Sequence, residues 1–416
     1  MFWRAGFSDR DMDEISNWII ESGLRGRPET DIIEGVCQRL NDAGTKVMRV
    51  QVGQRVLHPV YAAIGFSWVR GKGTEKSDWS REDDANGDDT MATSPFGKLF
   101  REQLENWRFK IEGTNEELPY PILEELRDQG ATDYSVYATG FSTETISDAS
   151  IYKYSEGMVS SWTVDQPGGY TDEQLAHLKR IVRTLGLAIK SERNQGMART
   201  LLEVYLGKDA GRRVLSGDIE RGMVRSISAV LWYCDLQGFT KIADTTPPDE
   251  LIKLLNDYFE NMVEPIHDAG GQVLKFMGDG LMAIFELDNL DNADVCRIAL
   301  DPVEETRRRI DIVNQERTAA GRPTTDFYVA MHLGDVQYGN IGSKERLDFT
   351  VIGPAVNEVI RIEAMCRPLD QEVIVSSAFS KAAEKCQDRL VSLGRYALRG
   401  VRRPEELFTL MPTDAE

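Results

Sequence analysis

Residues 271–286 read GQVLKFMGDGLMAIFE, two apolar runs that meet at Gly278-Asp279-Gly280. Asp-Gly between hydrophobic runs is a strong hairpin signal, because both central residues of a type I′ turn need a positive φ. The stretch predicts two antiparallel strands with Asp279 at the tip and Lys275 four residues upstream. Before it, SISAVLWYCD (226–235) predicts a strand. PDELIKLLNDYFENMVEPIHDAG (248–270) predicts a helix, with Leu251, Leu254, Leu255, Tyr258, Met262 and Ile266 on one face. After it, residues 291–321 predict a second helix and DFYVAMHLGDV (326–336) a further strand. This β-α-β-β-α-β order is the split βαβ, ferredoxin-like arrangement of an α+β domain.

In that arrangement the first strand lies beside the hairpin. Asp235 closes the first strand at its exit into a glycine-containing turn, and Asp279 sits at the neighbouring tip. Two carboxylates on adjacent strand ends can share hard cations through oxygen ligands. Mg²⁺ is held in this way by one or two carboxylates together with substrate phosphates. Two such ions can activate one oxygen and neutralise another in an in-line displacement.

The whole chain sets bounds on this reading. Its 416 residues exceed one ordinary core and predict two or three domains. A net charge of −19 argues against nucleic acid or an anionic membrane as a bulk partner. Five scattered cysteines without a CxxC pair, and only four histidines, suit a reducing compartment and offer no zinc constellation. No apolar run approaches the roughly 20 residues of a membrane span. The N-terminus turns acidic too early for a signal peptide, so the expected location is cytoplasmic.

In the first half, residues 30–44 predict a helix, while MRVQVG (48–53), IGFSWV (64–69), 133–141 and 157–164 predict strands. Residues 72–92 are polar and acidic and read as a long loop. Thr171 and Gln174 form a capping-box pattern. Leu175, Leu178, Val182, Leu185 and Ile189 then recur as a seam, which either packs on a partner or closes the core of the N-terminal domain. The expected division is a first domain over 1–195, a helical linker over 196–225 and a second domain over 226–416.

Four separated stretches, CDLQGFTKIAD, LKFMGDGLMAIF, HLGDVQYGNIGS and FTVIGPAVNEVIRIEAM, together resemble the catalytic domain of class III nucleotidyl cyclases. The resemblance covers roughly 226–410. It implies that Asp235 and Asp279 bind two Mg²⁺ or Mn²⁺ ions per active site, with the Leu236 carbonyl as a further ligand. It also implies that Lys275 selects the purine, Asn357 positions the ribose and Arg361 steadies the transition state. The i, i+4 spacing of Asn357 and Arg361 puts them on one helical face. Arg399 stands where the family usually has a phosphate-binding lysine, and Arg402 is a second candidate.

Thr350 occupies a position that is aspartate in many adenylate cyclases, and threonine there resembles the class IIIb subgroup. Adenine needs both a donor and an acceptor from its pocket, which Lys275 and the Thr350 hydroxyl can supply. The implied activity is conversion of ATP to cyclic AMP and pyrophosphate by attack of the ribose 3′-hydroxyl on the α-phosphate. Guanylate cyclase and a silent nucleotide-binding module are the alternatives. Within the family, the aspartates of one subunit meet the lysine, asparagine and arginine of another, so a homodimer with composite sites is expected. Threonine at this position also goes with bicarbonate-responsive members.

Residues 168–192 resemble the closing helix of GAF-type sensor domains. That implies an α/β GAF-like regulatory or dimerisation domain with an unidentified small-molecule or protein regulator. Other conspicuous residues have plainer readings: Cys234 as a buried, inert thiol, His267 and His332 as structural, and Arg307, Arg308 and Arg309 as a solvated helix face.

Overall fold

In the computed structural model, which describes residues 7–81, 93–113, 118–141, 157–287, 290–399 and 404–411, the stretch 271–286 forms the expected hairpin. Strand β8 (Gln272–Met277) pairs antiparallel with β9 (Gly280–Glu286), and Met277 faces Gly280. The two-residue turn is therefore Gly278-Asp279 and not Asp279-Gly280. Gly278 has φ +70, whereas Asp279 and Gly280 keep a negative φ. Glycine at the first central position is the type II′ pattern, so the expected type I′ turn is corrected. The tip is tied to the neighbouring strand by the Leu236 N–H, which donates to the Asp279 carbonyl at 3.3 Å.

The chain divides into two units, Met1–Leu201 and Leu202–Glu416. In the second, β7 (Val224–Leu236), α8 (Pro248–Asp268), β8, β9, α9 (Asn292–Ala319) and β10 (Phe327–Gly342) follow the expected order. The sheet runs β13-β14-β12-β10-β7-β9-β8, with β11 (Leu347–Ile352) paired to β10. Its four ferredoxin-like strands, β10-β7-β9-β8, are all antiparallel. Beyond them lie β12 (Val373–Ser376), β13 (Leu390–Tyr396) and β14 (Glu405–Leu410).

Alternation along β7 assigns its residues to two cores. Val230, Trp232, Cys234 and Leu236 pack with Leu254, Tyr258, Met262 and Ile266 of α8 and with α9. Ile227, Ala229, Leu231 and Tyr233 point the other way, toward Ala355, Val359 and Ile362 of α10 (Pro354–Glu363). A short helix α6 (Lys208–Leu215) adds Ala210 to that second core. Burial of apolar surface on both faces, worth about 25 cal/mol per Å², makes this strand the spine of the unit.

The first unit is a six-stranded antiparallel sheet in the order β3-β2-β1-β6-β5-β4. Its strands are β1 (Val47–Arg55), β2 (Tyr61–Val69), β3 (Gly73–Ser80), β4 (Asn106–Lys110), β5 (Asp133–Gly140) and β6 (Gly157–Val164). Helices α1 (Asp9–Leu24), α2 (Glu29–Asp42) and α5 (Asp172–Leu206) share a core with this sheet, and α3 (Pro95–Arg101) and α4 (Pro121–Asp128) belong to a smaller one. Thr171 and Gln174 make the expected reciprocal cap. Leu178, Val182, Leu185 and Ile189 are buried in the unit's own core with Ile32, Ile33 and Trp162, so the seam closes that core.

The loop expected over 72–92 is corrected for 73–80, which is the edge strand β3; residues 82–92 lie outside the described residues. That strand is mostly exposed and polar, so it shows no apolar alternation. The segment 196–225 holds the end of α5, helix α6 and the approach to β7. No helix among the described residues is long and apolar enough to cross a membrane.

Candidate active site

Asp235 is opposite Gly280 on β9 and Tyr328 on β10, one residue from the end of β7. It follows Tyr233 on the face that α10 covers. The approach of Asp279 across the strand ends needs a glycine at 280. A Cβ there would lie 2.7 Å from the Cys234 carbonyl and 3.0 Å from Asp235 Oδ1. With that room, the Asp279 carboxyl comes close enough to Asp235 to oppose its ionisation. Burial first, and the charge of Asp279 second, push Asp235 up to about 6.

A third carboxylate, not singled out from the sequence, joins them. Glu363 closes α10 and is pushed up to about 7 by burial, then by Asp235 and Asp279. Tyr233 is raised as well, by burial and then by Asp235. Like charges at one sheet end, with no Lys or Arg ion pair among the described residues, are unfavourable in a partly buried setting. A divalent ion held by the two aspartates relieves this, and a pair of carboxylates at adjacent strand ends fits Mg²⁺ or Mn²⁺. Glu363 has no sequence signature of its own, since its closeness to the aspartates is purely tertiary.

Lys275 reaches its face through a bulge. The β8–β9 register shifts between Val273 and Lys275, leaving Leu274 extra, and Lys275 pairs with Met282. Met282 lies in the α10-side core, so Lys275 is on the face of Tyr233 and Asp235. Thr350 on β11 is 6% exposed, and its hydroxyl has no hydrogen-bond partner among the described residues.

On α10, Ala355, Val359 and Ile362 face inward. At 100° per residue, Asn357 and Arg361 fall on the outer side, roughly opposite that buried face. Glu363 falls on one flank and Glu358 on the other. Among the described residues, Lys275, Asn357 and Arg361 have no side-chain hydrogen bond or ion pair. Arg399 is exposed in the turn after β13, and Arg402 lies outside the described residues. The Leu236 side chain is buried, with its main chain beside the aspartates.

The plainer readings have clear partners. Cys234 is buried against Met262 Sδ at 3.7 Å, and burial raises its thiol well above the ordinary range. Arg307 pairs with Glu304 and Glu372, Arg308 with Glu305, and Arg309 with Glu305 and Glu264.

The adenylate and guanylate cyclase catalytic domain matches residues 224–412. An adenylate cyclase of Anabaena cylindrica is 31% identical over 165 residues, 39% of this chain and 32% of that protein. Adenylate cyclase 1 of Rhizobium meliloti is 30% identical over 159 residues, 38% of this chain and 23% of that protein. Among solved structures, the adenylyl cyclase CyaB from P. aeruginosa is similar with a TM-score of 0.41 at 23% identity, over 46% of this chain and 96% of that one. The chain thus spans about a third or less of the length of the two curated relatives. With the two aspartates brought together in the matched segment, residues 224–412 form a class III adenylate and guanylate cyclase catalytic domain.

Proposed function

We infer that this chain is an adenylate cyclase that converts ATP to 3′,5′-cyclic AMP and pyrophosphate. The observation that carries this is the Asp235–Asp279 pair, held at adjacent strand ends within the matched segment. Two Mg²⁺ or Mn²⁺ ions, when bound, would neutralise the triphosphate and acidify the ribose 3′-hydroxyl. Asp235, Asp279 and the Leu236 carbonyl would hold them.

Lys275 and Thr350 orient the base. Lys275 donates to adenine N1, and the Thr350 hydroxyl accepts from N6, which suits adenine better than guanine. The unpartnered Thr350 hydroxyl supports this, because a buried polar atom without a partner costs about 1–3 kcal/mol that a ligand can recover. Asn357 positions the ribose, Arg361 stabilises charge developing on the α-phosphate, and Arg399 binds phosphate.

The outward placement of Asn357 and Arg361, away from the flank where Glu363 meets the aspartates, supports a homodimer with two composite sites. The first unit, with its own complete core, serves as a regulatory module for an effector of its own.

The test is to incubate the chain with ATP or GTP and either Mg²⁺ or Mn²⁺, and to measure cyclic nucleotide and pyrophosphate. Cyclic AMP forming faster than cyclic GMP is expected. A folded dimer that yields neither product would refute the reading, and faster cyclic GMP formation would make it a guanylate cyclase.

A further inference from the structure

A second cluster of metal-ligating groups lies apart from the aspartate pair. His332 on β10, Glu358 on α10 and Glu405 at the start of β14 each offer one donor atom, all within 4.8 Å of one another. His332 is 6% exposed. Its Nδ1 is 2.9 Å from Ser376 Oγ and 3.8 Å from Glu358 Oε1. Ser376 Oγ also accepts the Phe379 N–H at 3.1 Å, and Ser377 Oγ donates to Glu405 Oε1 at 3.2 Å. The donors therefore come from three elements, and hydroxyls orient two of them.

The charges inside this cluster do not balance. Glu358 and Glu405 offer carboxylate oxygens within 4.8 Å of each other, and burial followed by Glu358 raises Glu405 above the usual carboxylate range. Burial lowers His332, which favours the neutral imidazole that a metal requires. Among the described residues, neither glutamate has a Lys or Arg ion pair. Like carboxyls drawn together without a cation are costly unless they share a proton or bind a metal.

We propose that His332, Glu358 and Glu405 form a second, non-catalytic site for a divalent cation of the zinc class. One imidazole nitrogen and two carboxylate oxygens are a mixed donor set that suits Zn²⁺ and its neighbours. Mg²⁺ prefers oxygen ligands alone and keeps several waters, so the metal of the aspartate pair is not the natural occupant. The ion would join β10 and β14 to the flank of α10 opposite Glu363. Glu358 immediately follows Asn357, so the site would fix the helix that carries Asn357 and Arg361.

The full chain carrying Asp235→Asn and Asp279→Asn, which silences the aspartate pair, is stripped with a chelator. It is then titrated with Zn²⁺ against a chromogenic zinc indicator, and with Co²⁺ by visible absorption. One Zn²⁺ per chain is expected, with Co²⁺ bands of a mixed nitrogen and oxygen site. Adding Glu405→Gln, which keeps the shape of the side chain, should weaken Zn²⁺ by at least ~100-fold, since loss of an outer partner alone costs ~10–100-fold. His332→Gln should do the same, with circular dichroism confirming the fold; if it does not fold, Glu405→Gln decides. No Zn²⁺ uptake by the parent variant, or uptake unchanged by Glu405→Gln, would overturn the proposal and leave a proton-sharing carboxyl pair.

Discussion

Asp133 in the first unit and Asp235 in the second are both carboxylates drawn into the protein, and the chain treats them in opposite ways. Asp133 is wholly buried, yet Arg108 Nη2 donates to it at 2.6 Å and the Tyr170 N–H at 2.9 Å. Even Gly169 is shaped to it, since a Cβ there would lie 2.4 Å from Asp133 Oδ2. Asp235 meets two further carboxyls instead. A buried charge balanced inside the chain holds structure together, whereas one left unbalanced stores a demand for a partner from outside.

The largest expected effect breaks the comparison if it fails. Asp235→Ala or Asp279→Ala should lower cyclase turnover about 10³-fold, as loss of positioned charge stabilisation does. Thermal unfolding should stay the same or rise, because like-charge repulsion is removed. Near wild-type turnover in either variant would reduce Asp235 to a turn residue.

The converse substitution is Arg108→Met, which strands Asp133. A loss of about 3 kcal/mol in urea unfolding is expected, the lower end for breaking a buried pair because Arg108 is partly exposed. A loss below 1 kcal/mol would show that Tyr170 alone satisfies Asp133.

A smaller effect concerns which chain answers the demand at Asp235. Co-expressing Asp279→Ala and Arg361→Ala chains, each inactive alone, should restore about a quarter of wild-type activity in a two-fold symmetric dimer with shared sites. No recovery despite mixed dimers would place all the groups in one subunit's site.

The smallest effect is on stability against pH. Asp235 at about 6 and Glu363 at about 7 keep protons in the fold that the unfolded chain has already lost above the ordinary carboxylate range. Their contribution to stability is full below that range and is lost as pH rises through about 6 and 7. A bound cation favours the ionised forms, so the rise in unfolding temperature with Mn²⁺ should be slight at pH 5.5 and larger at pH 8. A shift independent of pH would place the ion elsewhere.

The ferredoxin-like core was legible because burial writes itself as periodicity. The α8 face, the β7 run and the hairpin arms are apolar for the same reason that they pack together. Edge strand β3 is not legible in the sequence, because an exposed polar strand has no alternation to show. The turn type is not encoded locally, because Gly278 and Gly280 flank Asp279 alike and only the pairing of Met277 with Gly280 decides between them. In the candidate site, Asp235, Asp279, Asn357 and Arg361 stood out by motif. Glu363 acquires meaning only when α10 folds back onto the sheet end, which no local pattern encodes.

The Leu274 bulge has a consequence for insertions and deletions. Successive strand residues point to opposite faces, so strand length has a parity, and one extra residue inverts it for everything that follows. Val273 packs toward α8 and α9, while Leu274 and Lys275 both fall on the α10 side. Deleting Leu274 would remove the bulge and restore strict alternation with Lys275 still opposite Met282 on the α10 side, and with the hairpin and its aspartate in place. Deleting Phe276 instead, with the tip pairing of Met277 and Gly280 kept, would put Lys275 opposite Leu281 on the α8 side. The position of a one-residue deletion, and not its size, therefore decides whether base recognition is separated from metal binding.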